Sequence, residues 1–254
     1  MNKPRSITNA LVAAGLLLLP AATPVHATET TLERMPADLE TQYALSAIPP
    51  ALRAKAAVYL LDPQKGYSLS HPGTSGVACA VQRTQWEAAD YRNDIYYGIC
   101  YDAAGVKTYF QVMLDAAELR AKGMGPAALK AEIEKRFRDK TYVPPAKAGL
   151  SYMVAPIMRT FGPPDFSVHT MAMPHLMFYA PNLTNEDIGA VPNLEDFSTL
   201  LYPFVDRQGN AEHSYMIQII GETEKAKILA DEKPLVDALC AYRKLLCLGP
   251  GTHH

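Results

Sequence analysis

Alternation of apolar and polar side chains predicts two groups of strands in this chain. Residues 56–62 and 67–70 flank a turn in which Pro63 fixes φ and Gly66 accepts a positive φ, so they predict a β-hairpin. Aromatic and β-branched residues in partial alternation predict further strands, in chain order at residues 76–83, 94–102, 151–158, 175–181 and 213–220. The predicted strands at residues 94–102 and 151–158 are separated by a stretch in which the apolar residues recur with a different period.

Helical spacing occupies the middle and the end of the chain. Phe110, Leu114 and Ala117 predict one helix that Gly123 closes, and Pro126 opens a second, so together they predict an αα-hairpin. Further helical patterns occur ahead of Pro49, over residues 222–230 and from Pro234 onward. Strands and helices alternate here without a regular βαβ order. We therefore expect an α+β fold with a mostly antiparallel sheet, an αα-hairpin in the middle and C-terminal helices.

The first residues have the pattern of an export signal. Lys3 and Arg5 precede an unbroken apolar run over residues 10–19, and Ala27 supplies the small residue that a signal peptidase needs. Such a run is shorter than the roughly 20 residues that span a bilayer, so a short uncleaved anchor is the less favoured alternative. The sequence predicts a signal peptide, residues 1–27, and one mature globular domain, residues 28–254, that is periplasmic or secreted and has no membrane span.

Charge says little about a macromolecular partner. Removal of residues 1–27 takes away two basic residues and leaves 22 basic against 26 acidic ones. A mildly acidic domain offers no electrostatic surface for nucleic acid. We therefore expect a small molecule or a metal ion as the partner, while the oligomeric state is open.

Four cysteines lie in the predicted mature domain, and an even count in an exported protein predicts two disulfides. Cys79 and Cys100 occur in successive predicted strands, where antiparallel pairing would bring them together. Cys240 and Cys247 can pair only if the last helix ends between them, because seven residues of continuous helix separate two Cα atoms by about 10.5 Å and a disulfide tolerates about 7 Å. Sequence-local pairing is favoured among the three possible connectivities.

The richest candidate chemistry lies between Asp165 and Asp187. Five odd-numbered positions there carry histidine or methionine: His169, Met171, Met173, His175 and Met177. An extended backbone would place them on one side, with Leu176 and Phe178 turned toward a core. Imidazole and thioether groups together suit copper, especially Cu(I). Methionine is also an ordinary filler of apolar cores, and Pro174 interrupts any continuous ladder, so core packing is the competing interpretation.

A second metal arrangement combines His169 and His175 with His213 and an acid such as Glu186, Asp187 or Glu212. Three such ligands and a water form the pattern of a hydrolytic zinc site. The spacing is not diagnostic, since no HExxH motif is present. Ser75, close to His71 in a glycine-rich loop, is better explained as a turn residue than as a nucleophile.

These candidates leave two classes of function. The first is an exported binding protein for a small ligand or a soft metal, namely copper, at the histidine and methionine positions or in a tyrosine-lined cleft. The second is a secreted or periplasmic metal-dependent hydrolase, with zinc as the cofactor. The binding protein is favoured because no catalytic motif is present, and whether the chain is an enzyme stays undecided.

Overall fold

The computed structural model describes residues 30–249, so the predicted signal peptide, residues 1–27, lies outside the described residues. The strands are β1 (Ala57–Asp62), β2 (Gly66–His71), β3 (Ala78–Gln82), β4 (Tyr96–Tyr101), β5 (Leu150–Met153), β6 (Met158–Phe161), β7 (Val168–Met171), β8 (His175–Tyr179), β9 (Phe204–Arg207) and β10 (Ser214–Ile219). The α-helices are α1 (Ala37–Ser46), α2 (Pro50–Arg53), α3 (Ala103–Val106), α4 (Tyr109–Ala121), α5 (Pro126–Arg138), α6 (Glu222–Asp231) and α7 (Lys233–Tyr242). No helix within this range has the length and apolar character needed to cross a membrane.

All the strands belong to one mixed sheet. Its main path runs β2-β1-β3-β4-β5-β8-β10-β9, and β6 continues alongside β4 and carries β7 on its other edge. The pairing of β1 with β3 is parallel, and the other pairings are antiparallel. The predicted α+β fold with a mostly antiparallel sheet is confirmed.

Side chains of the central strands alternate between two apolar clusters. On β3, Cys79 and Val81 join a cluster with residues of α1 and α7, whereas Ala78 and Ala80 point to the other side of the sheet. We call these the first face and the second face. The second-face cluster draws on β4, β5, β8 and α4: Ile99, Tyr101, Met153, Met177, Tyr109 and Phe110. A sheet buried on both faces explains why β3 is apolar at nearly every position.

Gly98 in β4 allows α1 to lie directly on the first face. A Cβ atom at this position would lie only 2.6 Å from the backbone oxygen of Tyr43 in α1. Tyr43 is fully buried, and its hydroxyl donates to the carbonyl oxygens of Tyr96 and Ile157, 3.0 Å away in each case. The helix is thereby fixed against β4 by packing and by hydrogen bonds.

Both predicted disulfides are confirmed. Cys79 and Cys100 are direct partners in the antiparallel β3–β4 register and form a bond in the first-face core. Helix α7 ends at Tyr242, and a short 3-10 turn follows, so the Cα atoms of Cys240 and Cys247 come within 4.4 Å and are bridged. The early helix end that the second disulfide requires is therefore present.

Helices α4 and α5 share a third apolar cluster that includes Val112, Ala116, Leu129, Ile133 and Phe137. Their contact supports two successive helices in the middle of the chain. The predicted αα-hairpin is not established by this contact and stays a prediction.

Several segments differ from the sequence prediction. Residues 151–158 form parts of two strands, because the chain leaves β5 after Met153 and rejoins β4 only at β6. Pro156 lies in this break and has no N–H for a sheet ladder. Strand β9 has no clear alternation in the sequence and was not predicted. His213 lies in a 3-10 turn ahead of β10 rather than in the strand.

Candidate ligand cavity

A cavity of about 390 Å³ opens on the second face of the sheet. Strands β4, β5, β8, β9 and β10 contribute to its wall, as do β6, α4 and the loop after β3. Its lining contains tyrosines, methionines, amide and hydroxyl side chains, one histidine and three charged residues. Cavities of roughly 300–1,000 Å³ with mixed apolar and polar walls are the usual sites of small ligands.

Strand register explains why these residues meet. Tyr97, Ile99 and Tyr101 occupy alternate positions of β4 and therefore share the second face. In the neighbouring strands, Met153 of β5 is paired with His175 of β8. Likewise, Ser151 is paired with Met177, and Met177 with Ile217 of β10. Paired positions point to the same side, so the sheet assembles residues that are up to 120 positions apart in sequence into one wall.

Four tyrosines dominate the apolar part of the wall: Tyr97, Tyr101, Tyr109 and Tyr215. The ring of Tyr109 stacks near Tyr101, at 6.4 Å between centroids, and meets Tyr215 edge to face at 5.9 Å. Burial raises the pKa of each of these phenols above its ordinary value. All four are therefore neutral at physiological pH and offer aromatic faces and hydroxyl groups to a ligand.

Met153, Met158, Met173 and Met177 also line the cavity. Unbranched thioether side chains adapt their shape and contact aromatic rings favourably. A wall made of tyrosine rings and methionines can therefore fit an apolar or aromatic body of irregular shape.

His175 is the one histidine of the lining, and it is 5% exposed. Its Nδ1 lies 2.8 Å from the carbonyl oxygen of Met173, and since a carbonyl can only accept, Nδ1 carries the proton. Burial lowers the pKa of the ring. A neutral imidazole protonated at Nδ1 leaves the lone pair on Nε2, which can accept a hydrogen bond or bind a metal.

Two carboxylates stand in the wall. Glu87 follows β3 in a short 3-10 turn, and Asp206 is on β9 opposite Tyr215. Both residues are exposed to solvent, and both line the cavity. Desolvation raises the pKa of Glu87 to about 7, and the charge of Asp206 adds to that rise. Desolvation also raises the pKa of Asp206, against smaller opposite effects of hydrogen bonds from the backbone N–H of Arg207 and the hydroxyl of Tyr215 and of the charge of Arg207.

The structure places the predicted soft ligands in different surroundings. Met173, His175 and Met177 share the cavity. Met171 belongs to the same second-face cluster, but it packs toward Gly162 and does not line the cavity. His169, on β7, is part-exposed, with Nδ1 3.4 Å from the hydroxyl of Ser167. Three of the five residues are thus brought together.

The side of β8 that carries His175 is also the better buried one. Along β8, His175, Met177 and Tyr179 are buried, whereas Leu176 and Phe178 are only half-buried on the opposite side. Leu176 and Phe178 do point away from the histidine, as the alternation predicts. Both are half-buried and belong to none of the three apolar clusters, so the structure does not show the core that was expected on their side.

His213 lies outside the cavity wall. It is fully buried, with its ring 4.8 Å from that of Phe137 and 5.9 Å from that of Tyr109, and its Nδ1 is 2.7 Å from the amide oxygen of Asn210. Across residues 30–249, no group of three or more histidine, cysteine, aspartate or glutamate side chains is placed to hold a metal ion. The structure therefore does not assemble His169, His175 and His213 into the zinc arrangement.

The sequence predicts a tyrosine-lined cleft without identifying its tyrosines, and it does not indicate the two acids. Glu87 and Asp206 are 119 positions apart, and neither lies in a recognisable motif. The alternation of Tyr97, Ile99 and Tyr101 was the signal that could have indicated an aromatic second face. Only the structure shows that β9 lies at the edge of that face.

Comparison of the chain with protein-family models, with curated proteins and with solved structures gives no significant match. The function must therefore be argued from the cavity itself. Its size, its aromatic and thioether wall and its few polar groups are the features that carry that argument.

Proposed function

We propose that this chain is an exported binding protein that holds a small organic ligand in the second-face cavity. The single observation that carries the proposal is the cavity of about 390 Å³ whose wall joins four tyrosines and four methionines to a neutral histidine and two acids. Apolar surface supplies the affinity in such a site, and a few polar groups fix the orientation of the ligand. A rigid sheet supports most of the wall, so little has to be ordered on binding.

Export is supported by two kinds of observation. The sequence of residues 1–27 has the charge and apolar pattern of a signal peptide. Both disulfides, Cys79–Cys100 and Cys240–Cys247, are formed, and no free cysteine occurs among the described residues. Disulfides of this kind persist in oxidising compartments, so the periplasm or the extracellular space is the proposed location.

A hydrolytic function has less support. The predicted zinc ligands are not assembled, as described above, and Ser75 holds a turn, because its hydroxyl donates to the carbonyl oxygen of Lys55 at 2.9 Å and accepts from the N–H of Val77. Ser151, the serine of the cavity wall, donates to the hydroxyl of Tyr179 rather than to a histidine. No observation on the described residues favours an activated nucleophile.

Replacement of Ile217 by tryptophan should block ligand binding. Ile217 is half-buried on β10 and lines the cavity, so a larger ring there would occupy the space of the ligand. The measurement uses 2-phenylethanol as a neutral probe and observes the ε-methyl groups of ¹³C-labelled methionines by NMR. In the unmodified protein, the probe should shift the signals of Met153, Met158, Met173 and Met177, and the Ile217→Trp variant should show none of these shifts.

The matched control is Met216→Trp. Met216 is the neighbouring residue of β10, is also half-buried and points to the opposite side of the sheet. This variant should keep the probe-induced shifts. Shifts at Met35 or Met113 instead of the lining methionines, or no shifts in the unmodified protein, would contradict a ligand site in this cavity.

A soft metal is the second candidate ligand, and one observation favours it. Met173, His175 and Met177 line the same cavity, and the Nε2 lone pair of His175 is the one that a metal would use. Thioether sulfur and imidazole nitrogen are the donors that Cu(I) prefers. The cavity could thus hold Cu(I) through one histidine and the methionines on either side of it.

Competition with a chromogenic Cu(I) chelator tests this candidate. The unmodified protein should withdraw Cu(I) from the chelator, and the double variant Met173→Leu/Met177→Leu should not, because leucine keeps the volume of methionine and removes the sulfur. The double variant Met124→Leu/Met216→Leu changes two methionines that do not line the cavity and should behave as the unmodified protein does. Equal withdrawal by both double variants would exclude Cu(I) binding at these sulfurs.

A further inference from the structure

Charge is the feature of the cavity wall that the proposed function leaves unused. Among the described residues, neither Glu87 nor Asp206 forms an ion pair. Both residues line the same cavity, and the charge of Asp206 is one of the smaller causes of the raised pKa of Glu87. Both acids are also exposed to solvent, so their charges are accessible to a ligand in the cavity.

The positive groups near the wall form no ion pair with these acids and offset their charge only in part. Arg207 also lines the cavity, and its charge lowers the pKa of Asp206, but the two side chains form no ion pair. Lys130 donates to the backbone oxygen of Glu87 at 3.0 Å, not to its carboxylate. His175 is neutral, because burial lowers its pKa. The wall thus has an excess of negative charge when both acids are ionised.

The rest of the lining suits a cation as well. The faces of aromatic rings attract ammonium groups, and four tyrosines surround the cavity. Tyr215 is paired with Asp206 across β9 and β10, and its hydroxyl lies 3.4 Å from that carboxylate, so aromatic face and negative charge occur side by side. Methionine side chains complete the apolar part of the wall.

From this combination we propose that the ligand is a small organic amine: an ammonium group bound near Glu87 and Asp206, with an aromatic or apolar body against the tyrosines and methionines. This inference rests on the proposed function, since it names the chemical class of the ligand for the same cavity. An ammonium group would separate the two acids and stabilise both as carboxylates. The ligand itself would thereby supply the positive charge that neutralises the two acids.

Calorimetric titration with three probes of one size tests the inference. The probes are 2-phenylethylamine, 2-phenylethanol and phenylacetate, which share a phenyl ring and differ in charge. At about pH 8, where a carboxyl of pKa about 7 is ionised, the amine should bind about tenfold more tightly than the alcohol. Phenylacetate should bind more weakly than either, because the acids repel it.

Variants of the two acids locate the preference. Glu87→Gln and Asp206→Asn should each reduce the ratio of the affinity for 2-phenylethylamine to the affinity for 2-phenylethanol. Glu195→Gln is the control, because Glu195 is an exposed acid outside the cavity. It should keep the full preference for the amine.

The outcomes separate the two proposals. Equal affinities for the amine and the alcohol in the unmodified protein, both lost in Ile217→Trp, would overturn the amine inference and leave the binding function in place. A preference for the amine that survives in both acid variants would also overturn it, because the charge would then be recognised elsewhere. Failure of all three probes to bind would overturn the inference together with the proposed function.

Discussion

Replacement of Arg83 by methionine should lower the free energy of unfolding by about 4 kcal/mol. Arg83 immediately follows β3 and is among the largest fully buried side chains of the protein. Methionine approximates the length of the aliphatic stem but cannot donate a hydrogen bond. The loss should therefore arise from polar contacts and not from an empty volume.

The guanidinium of Arg83 connects segments that are distant in sequence. Its Nε donates to the carbonyl oxygen of Ile95 at 2.8 Å, and Nη2 donates to the side-chain oxygen of Asn93 at 2.8 Å. Nη1 reaches the carbonyl oxygen of Glu33 at 3.2 Å, and the group lies 3.6 Å from the ring centroid of Tyr96. Each buried acceptor that loses its donor costs about 1–3 kcal/mol, and the contact with the ring contributes about 1–2 kcal/mol.

Urea denaturation followed by circular dichroism measures this effect. Arg34→Met is the control, because Arg34 is 64% exposed in its side chain and its ion pair with Asp62 is on the surface, where such pairs contribute about 0–1 kcal/mol. Arg83→Lys should recover only part of the loss, since an ammonium group cannot reproduce the planar fork. A change below about 1 kcal/mol for Arg83→Met would show that desolvation of the guanidinium offsets its hydrogen bonds.

Local sequence signals were a good guide to the first four strands of the sheet. The hairpin of β1 and β2 and the pairing of β3 with β4 follow from local signals, and the Cys79–Cys100 disulfide follows from that pairing. The end of α7 before Cys247 follows from the geometry of a helix. These features depend on residues close in sequence, which is why the sequence predicts them.

Long-range pairing was the part that the sequence could not supply. The parallel contact of β1 with β3 joins two strands that are not consecutive in sequence. The division of residues 151–158 between β5 and β6 depends on how these two strands pair with β4. Strand β9 has no strong alternation, so its place at the sheet edge is decided by its pairing with β10. Tertiary contacts of this kind override local propensity.

For the candidate site, too, the sequence predicts what depends on neighbouring residues and not what depends on long-range pairing. The odd-numbered positions of β8 and its flank predict that Met173, His175 and Met177 share a side, and the structure brings them to one cavity. His169 and Met171 are separated from them, because Pro174 lies in a break between β7 and β8, and these two strands pair with different neighbours. The acids of the wall come from a turn and from an edge strand, and no local pattern connects them.

Replacement of Glu40 by glutamine should make the protein more stable at neutral and alkaline pH, by up to about 3 kcal/mol. Glu40 lies in α1, is 2% exposed, and its Oε1 accepts from the backbone N–H of Leu61 at 2.9 Å. Burial raises its pKa from 4.5 to about 7, against smaller opposite effects of that hydrogen bond and of Arg83. Glutamine keeps an oxygen for Leu61 and removes the buried charge.

The pH dependence gives the sign of this effect. Because the folded-state pKa of Glu40 lies above its unfolded value, the folded protein holds a proton between about pH 4.5 and pH 7 that the unfolded chain has released. The contribution of the protonated Glu40 is complete below about pH 4.5 and is lost as the pH rises through about 7. The gain in free energy of unfolding from Glu40→Gln should therefore be small below about pH 4.5, grow between about pH 4.5 and pH 7, and become constant at higher pH.

The difference in free energy of unfolding between the unmodified protein and Glu40→Gln isolates the effect of Glu40 from the effects of other titrating groups. Glu87 and Asp206 have raised pKa values, and His175 and His213 have lowered ones, but these groups are present in both chains and cancel in the difference. Urea unfolding at a series of pH values gives the free energy of each protein. Glu195→Gln should show a flat difference, because that side chain is exposed. A flat difference for Glu40→Gln as well would mean that Glu40 is ionised in the folded state at no cost, stabilised by Leu61 and Arg83.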